Sequence, residues 1–364
     1  MLEVNACSIN TSFPHQIPVI KLYSDSLNQL DSMVNIYTGG LKNIKAVRYK
    51  EIQVHMNIII DGAEAFCGDV DLKLFGKVTL NNPQKAFAIY ARKKYGGNNF
   101  RLPFFNDSIE YKSFLLRNSG QDWKQTYLRD AFSSKLAEAV GKIDYQQYHP
   151  VAVYINDKYY GLMNLREKIN KHYFSNHYNL KKENLHLIEI NEKFIHYGDS
   201  SHFFKMQRFL FNNDMTIAGN YEKVTNSLDI DSYINYICTQ LYIGNNDWPY
   251  SNVKVWRATD QKWKWVFFDA EWGLYYNRPD DPNINTNKIP HLKKTIFGPL
   301  VKNEIFKRLF INRFNVLLNS IFLGSNLNQV ISEMEQNITT EMKWHKQRWP
   351  EHGLKEDLKN WHLA

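Results

Sequence analysis

With 364 residues the chain is long enough to bury a full core, as one large domain or as two lobes. Its 43% hydrophobic and 23% charged residues are those of an ordinary globular protein, and the net charge of +8 suits an anionic ligand or plain solubility, without the long basic block that would argue for nucleic acid. No apolar run approaches the ~18–20 residues of a membrane span, the first residues lack the basic start and apolar core of a signal peptide, and Cys7, Cys67 and Cys238 suggest neither a disulfide framework nor a zinc site.

The chain opens on a short apolar strand, PVIKLYS (18–24), followed by a turn at YTGG (37–40). Residues 52–60 alternate and end in a β-branched run; Asp61-Gly62 is a hairpin signal, and a returning strand spans roughly 65–75. The next strand, 85–96, places Lys85, Phe87, Ile89 and Ala91 on one face. Another runs over 113–119, closed by Gly120. A helix is predicted from Asp122 to about Val140, with Trp123, Tyr127, Phe132, Leu136 and Val140 as its apolar stripe. Residues 151–157 and 159–169 form a second hairpin turning at Asn156-Asp157, with Glu167 near its end. Beyond 170 come the short strand LHLIEI, some helix near 200–212, and a clearer helix over 230–243 that aligns Ile230, Ile234, Ile237 and Leu241. A long Asn-, Asp- and Pro-rich loop (275–298) and two amphipathic helices, about 299–322 and 327–348, close the chain. Strands first and helices second make this an α+β protein in two unequal lobes, with a mainly antiparallel sheet in the first.

The chemistry concentrates in NNDWPYSNVKVWRATDQKWKWVFFDAE (245–271). Asp247 and Asn252 lie five positions apart, and a strand-like run then ends on Asp269 and Glu271, which on a strand would share a face. A kinase uses an Asp to accept the substrate hydroxyl proton, and an Asn and a later Asp to hold magnesium. The same spacing is also that of a polar turn between two strands. Lys85, at the start of a strand after a glycine-bearing turn, is placed as a kinase lysine would be, or as a solvated strand end; Arg92 could serve the same purpose. No GxGxxG and no GxxxxGK[ST] occurs, which argues against a P-loop fold.

Six stretches, taken in order, resemble the CotH-type kinases, an atypical protein kinase family named after a spore-coat protein. PVIKLYSDSLNQLDSMVNIYTGG resembles the family's opening strand, and NNPQKAFAIYARKKYGG its P-Q-K block. FLLRNSGQDWKQTYLRDAF is similar to its L-R-N-S-G element and VAVYINDKYYGLMNLREKINKHYF to its V-Y-I-N-G block. NNDWPYSNVKVWR with WKWVFFDAEWGL resembles its D-W-P-x-x-N and W-x-x-x-D-x-D segments, and EMKWHKQRW its closing element. The resemblance spans about 17–349, and implies a divergent two-lobed protein-kinase-like fold: a sheet-rich N-lobe (17–170), a helical C-lobe (171–349) and a tail (350–364). It implies ATP and Mg²⁺ or Mn²⁺ as cofactors and a protein Ser or Thr as acceptor, on a surface or coat protein.

Carried over by position, Asp247 looks like the catalytic residue and Lys85 like the phosphate-contacting lysine. Asn252 and Asp269 look like metal ligands, with Glu271 where the family has a second Asp. Arg92, Arg117 and Glu167 fall in motifs that suggest nucleotide binding, and Asn118, Arg129, Asp130 and Arg166 fall in motifs without an assigned role. Lys73-Leu74-Phe75-Gly76 stands where the family has R-x-H-G or R-G, which removes a polar group beside the phosphates. Three alternatives stay open: a pseudokinase or ATP-binding interaction module, a kinase of small molecules, and a phosphohydrolase using Asp247, Asp269 and Glu271 around two ions.

Overall fold

A computed structural model describes residues 14–24, 49–96, 99–106, 109–190, 193–276 and 289–350. The YTGG turn, residues 277–288 of the Asn- and Pro-rich loop and the tail from 351 lie outside these residues. The structure is α+β and divides into two compact units, each drawn from separate parts of the chain. The first takes in the described parts of Met1–Leu128, Gln147–Lys168 and Ser332–Trp361, the second those of Arg129–Gln146 and Ile169–Ile331.

The strands of the first unit are β1 (Val19–Tyr23), β2 (Glu51–Ile60), β3 (Ala63–Phe75), β4 (Ala86–Tyr90), β5 (Phe100–Arg101), β6 (Glu110–Tyr111), β7 (Ser113–Arg117), β9 (Tyr148–Ile155) and β10 (Lys158–Glu167); β8 (Asp144–Tyr145) belongs to the second. Seven of them close into a barrel in the order β1-β2-β3-β4-β7-β10-β9, with β5 and β6 as a separate pair. Strand direction cannot alternate all the way round a ring of seven, so one join has to be parallel, and β1 with β9 is that join. The barrel is filled by every second residue: Ile52, Val54, Met56 and Ile58 of β2, Val70, Leu72 and Leu74 of β3, Val151, Val153 and Ile155 of β9. Phe87 and Ile89 of β4 join them, with Ala91 packed against the cluster, so the face assigned to Lys85 is the barrel's inner one.

Both hairpins form with two-residue turns, Ile60 facing Ala63 and Ile155 facing Lys158. Asp61, Gly62, Asn156 and Asp157 all take positive φ, as the primed turns of a twisted hairpin require. Asn and Asp tolerate that region better than other side chains, so Asn156-Asp157 turns without a glycine. Cys67 is disulfide-bonded, which corrects the expectation of no disulfide, while Cys238 is a buried free thiol.

The helix predicted over 122–140 is broken. Residues 120–124 form a 3-10 turn, Tyr127 takes φ 69°, and the α-helix, α1, covers only Arg129–Val140. Asp122 takes the backbone N–H of Thr126 (3.2 Å) and its hydroxyl (2.6 Å), and Ser119 donates to the Tyr127 carbonyl (2.5 Å). Local side-chain bonds thus replace the helical ladder ahead of Arg129.

The second unit continues with α2 (Lys171–Tyr178), β11 (Leu185–Glu189), β12 (Phe194–Tyr197), α3 (Ser201–Asn212), α4 (Ala218–Thr225), α5 (Ile230–Tyr242), β13 (Lys254–Ala258) and β14 (Lys264–Phe267). After these come α6 (Ile289–Leu292), α7 (Phe297–Leu300), α8 (Glu304–Leu318) and the start of α9 (Gly324–Arg348), which from Ser332 onward belongs to the first unit. The part read as helical also holds four strands of a five-stranded sheet, β12-β11-β13-β14-β8, whose last join, to β8 from the earlier part, is parallel. Helix α5 is capped by Asp229, which accepts from Ser232 N–H at 3.0 Å, and is buried from Ser232 to Leu241. It is the rigid arm behind the site.

Candidate active site

Helix α5 runs into Gly244, and the chain then folds into a tight polar turn. The Asn245 side chain, fully buried, donates to Gln240 Oε1 (3.0 Å) and accepts from Asp247 N–H (3.2 Å). The Asp247 carbonyl receives the N–H groups of Tyr250 (3.1 Å) and Ser251 (2.9 Å), across a cis Trp248–Pro249 bond. Asn252 takes φ 58°, a conformation in which Asn is among the least strained side chains. Its amide Nδ2 donates to Asp247 Oδ2 at 3.3 Å and to the Asp269 carbonyl at 3.4 Å. The turn therefore brings Asp247, Asn252 and Asp269 together.

Asp269 lies two residues past the end of β14 and takes φ 56°. The alternation argument that put Asp269 and Glu271 on one strand face does not apply to this bend. Glu271 is 5% exposed, and Asp247, Asp269 and Glu271 are not grouped as three carboxylates around one ion. The oxygens of Asp247, Asn252 and Asp269 are a hard donor set, incomplete by itself. This suits Mg²⁺, which takes one or two carboxylates and fills its shell with phosphate and water.

The loop from Asp269 to Tyr276 is held on two sides. Asn246 N–H reaches the Trp272 carbonyl (3.1 Å) and Leu274 N–H the Ile243 carbonyl (2.6 Å), joining the loop to the turn after α5. On the other side, the first two residues of α1 grip it. Asp130, 5% exposed, accepts the Ala270 N–H at 2.8 Å, and Arg129 donates to the Leu274 carbonyl at 3.3 Å with its guanidinium 5.5 Å from the Tyr276 ring. These contacts give Arg129 and Asp130 a positioning role that the sequence left unassigned. If the turn holds a divalent metal, Asp130→Leu is expected to weaken Mn²⁺ binding about 10–100-fold, as loss of an outer-shell partner does. Asp130→Asn keeps an oxygen for Ala270 N–H and is expected to restore most of the affinity. Metal titration read beside a thermal melt separates this from plain destabilisation; equal metal affinity in all three proteins would remove the role.

The other candidate residues belong to the barrel. Lys85 is 1% exposed, and its Nζ donates to the carbonyls of Leu80 (2.8 Å) and Asn82 (2.6 Å). Burial pushes its pKa down to about 8, while two carbonyl acceptors act the other way by favouring the ammonium. Arg117 ends β7 and, like Glu167 at the end of β10, is buried. Arg92 pairs with Asp71 (3.1 Å) and Glu51 (2.5 Å) and stacks on Tyr90. Arg166 donates to the Gln147 carbonyl at 3.0 Å.

Strand register divides these residues. Ala86 of β4 continues the pairing to the level of Arg117, whereas Glu167 lies opposite Phe114, which is itself opposite Ile89. Lys85 and Ile89 are four residues apart, about 13 Å along a strand. Lys85 and Arg117 thus sit toward one end of the barrel wall, Arg92 and Glu167 toward the other.

The residue that sequence reasoning passed over is Gln84. Fully buried, it donates to the Leu162 carbonyl (2.9 Å), accepts from Trp123 Nε1 (3.0 Å), and its own carbonyl receives the Asn118 amide (2.5 Å). Nearby, His345 accepts the Leu162 N–H (3.0 Å), Trp349 donates to the Tyr160 carbonyl (2.7 Å), and Glu341 pairs with His15 (2.8 Å). The closing E-M-x-x-H-x-x-R-W residues therefore fasten the end of the chain to the barrel. The signal for Gln84 was its place in the P-Q-K block beside Lys85.

The model of the CotH kinase protein family matches residues 72–362. The chain belongs to the CotH kinase family. The match begins within β3 and takes in every candidate residue above, and it accounts for five of the six stretches of resemblance. No curated protein matches the chain in sequence. The closed seven-stranded barrel is not the form of a classical kinase lobe.

Proposed function

We propose that the protein is a metal-dependent kinase that moves the γ-phosphoryl group of ATP to a Ser or Thr hydroxyl of a protein, its two units acting as the lobes of a divergent kinase-like fold. The observation that carries the reading is the Asn252 amide held between Asp247 and Asp269, in a chain of the CotH kinase family. Asp247 accepts the proton of the acceptor hydroxyl as its oxygen bonds to the γ-phosphorus. The bond from phosphorus to the β,γ-bridging oxygen breaks, and ADP leaves. Asn252 and Asp269 would hold Mg²⁺ or Mn²⁺, which supplies charge neutralisation on the phosphates. Glu271, Arg117, Arg92 and Glu167 are proposed in supporting roles, and the acceptor is proposed to be a surface or coat protein. Incubation with γ-labelled ATP, metal and protein acceptors tests the assignment: label on Ser or Thr supports it, and free phosphate alone overturns it.

The tether of Lys85 to two carbonyls, with Phe75 in the preceding stretch, favours a second reading in which the fold binds without turnover. Lys85 distinguishes the two. If its ammonium contacts phosphate, Lys85→Met raises the KM for ATP about 10–100-fold, the worth of a charged hydrogen bond. The wild-type KM should then rise as pH passes about 8, where the buried amine loses its proton. The stability term has its own sign: between about 8 and the ordinary 10.5 the unfolded chain binds more protons, so this group's contribution to stability grows with pH. A purely structural Lys85 would lower the melting temperature on substitution and leave KM unchanged.

A further inference from the structure

The second unit holds a cavity of about 190 Å³ that the proposed chemistry does not use. Trp248, Pro249 and Val253 line it, and they are chain neighbours of Asp247 and Asn252. Four more aromatic side chains, Phe203, Tyr233, Tyr236 and Trp265, join Trp248 in the wall. Tyr233 and Trp265 pack with ring centroids 4.4 Å apart, and Trp265 lies 6.4 Å from both Phe203 and Tyr236. These four side chains are at most 3% exposed. Of the lining residues only Lys294 is exposed, and it is also the only charged one.

Two features indicate what would fit. A volume of about 190 Å³ accommodates one aromatic ring with a short substituent. The Tyr236 hydroxyl, 1% exposed, has the Gln240 and Trp248 side chains as its polar neighbours, and belongs to a residue that lines the cavity. Lys294 at the exposed position complements a negative charge.

We propose that this cavity binds a single-ring aromatic carboxylic acid, with the ring among Tyr233, Tyr236 and Trp265 and the carboxylate toward Lys294. Asp247, Asn252 and Asp269 are not among the lining residues, and occupancy of the cavity does not depend on whether the protein turns over ATP.

The test titrates the full chain with phenylacetate and with benzyl alcohol, following tryptophan fluorescence and the thermal melt, since Trp248 and Trp265 both line the cavity. Ligands of this size are expected to saturate with a Kd of about 0.1–1 mM. Lys294→Glu, at an exposed position, is expected to weaken phenylacetate about threefold to tenfold and to leave benzyl alcohol unchanged. Ile190→Trp, which adds bulk at the half-buried rim, is expected to abolish binding of both. Absence of a saturable response up to about 10 mM overturns the site. So does binding that neither substitution alters, because the ligand then sits elsewhere. Both readouts are independent of phosphoryl transfer, so they stand or fall apart from the kinase assignment.

Discussion

Asp269→Asn is expected to reduce metal-dependent phosphoryl transfer by about a thousandfold or more, the rate equivalent of several kcal/mol of charge stabilisation lost at the phosphates. Asparagine is the informative replacement because Asp269 sits at φ 56°. Asn tolerates that conformation nearly as well as Asp, whereas Ala adds about 1–2 kcal/mol of backbone strain. Asp269→Ala should therefore lose activity and melt lower, while Asp269→Asn loses activity at an almost unchanged melting temperature. Asp247→Asn should slow transfer and largely spare ATP binding, because the proton acceptor is removed while Asn252 and Asp269 remain. Transfer of label from ATP, metal titration and thermal melting on the same preparations distinguish these outcomes. Wild-type turnover in Asp269→Asn and Asp247→Asn together would end the kinase proposal.

The largest expected effect on stability comes from Gly161, far in sequence from those acids. It lies at a β-bulge in β10 with φ 133°, a backbone region that L side chains rarely adopt. A Cβ there would stand 2.9 Å from Gln84 Nε2, 2.9 Å from Trp349 Nε1 and 3.0 Å from His345 Nδ1. None of these is a loose side-chain end: Gln84 and Trp349 donate to backbone carbonyls, and His345 accepts a backbone N–H. Gly161→Ala thus combines backbone strain with overpacking and is expected to cost about 2–6 kcal/mol. Chemical denaturation monitored by tryptophan fluorescence reads this directly. A loss below about 1 kcal/mol would mean that the closing segment yields freely at this point.

The sequence was most legible where the cause is local. The alternation in β2, β3 and β4 and the turn chemistry at Asp61-Gly62 and Asn156-Asp157 determine register within a few residues, and each hairpin formed as read. Helix α5 carried its own cap and stripe. The broken helix after Asp122 shows the limit: Trp123 and Tyr127 match a helical period, but their burial comes from the 3-10 turn and the left-handed Tyr127. Barrel closure was not legible, because β1 meets β9 across more than a hundred intervening residues and neither strand's pattern names its partner. At the site, Asp247 and Asn252 were readable from spacing, since one turn holds both. The bend at Asp269 was not, because a strand-like run conceals where the strand stops. Asp130 was visible as an acid near a helix start, but its partner, the Ala270 N–H, belongs to the backbone and leaves no trace in side-chain identity.

The parallel seam between β1 and β9 has a practical consequence for anyone shortening this protein. The family match starts at Leu72, so a chain trimmed to the matched span would lose β1, β2 and most of β3. That removes the seam's first member and the two strands that follow it round the barrel, and turns a ring into an open sheet with β9 and β4 as bare edges. Unpaired edges of that kind recruit one another. A protein beginning at residue 72 is therefore expected to aggregate where the longer chain stays monodisperse in size-exclusion chromatography. Sequence homology and the folding unit have different borders here.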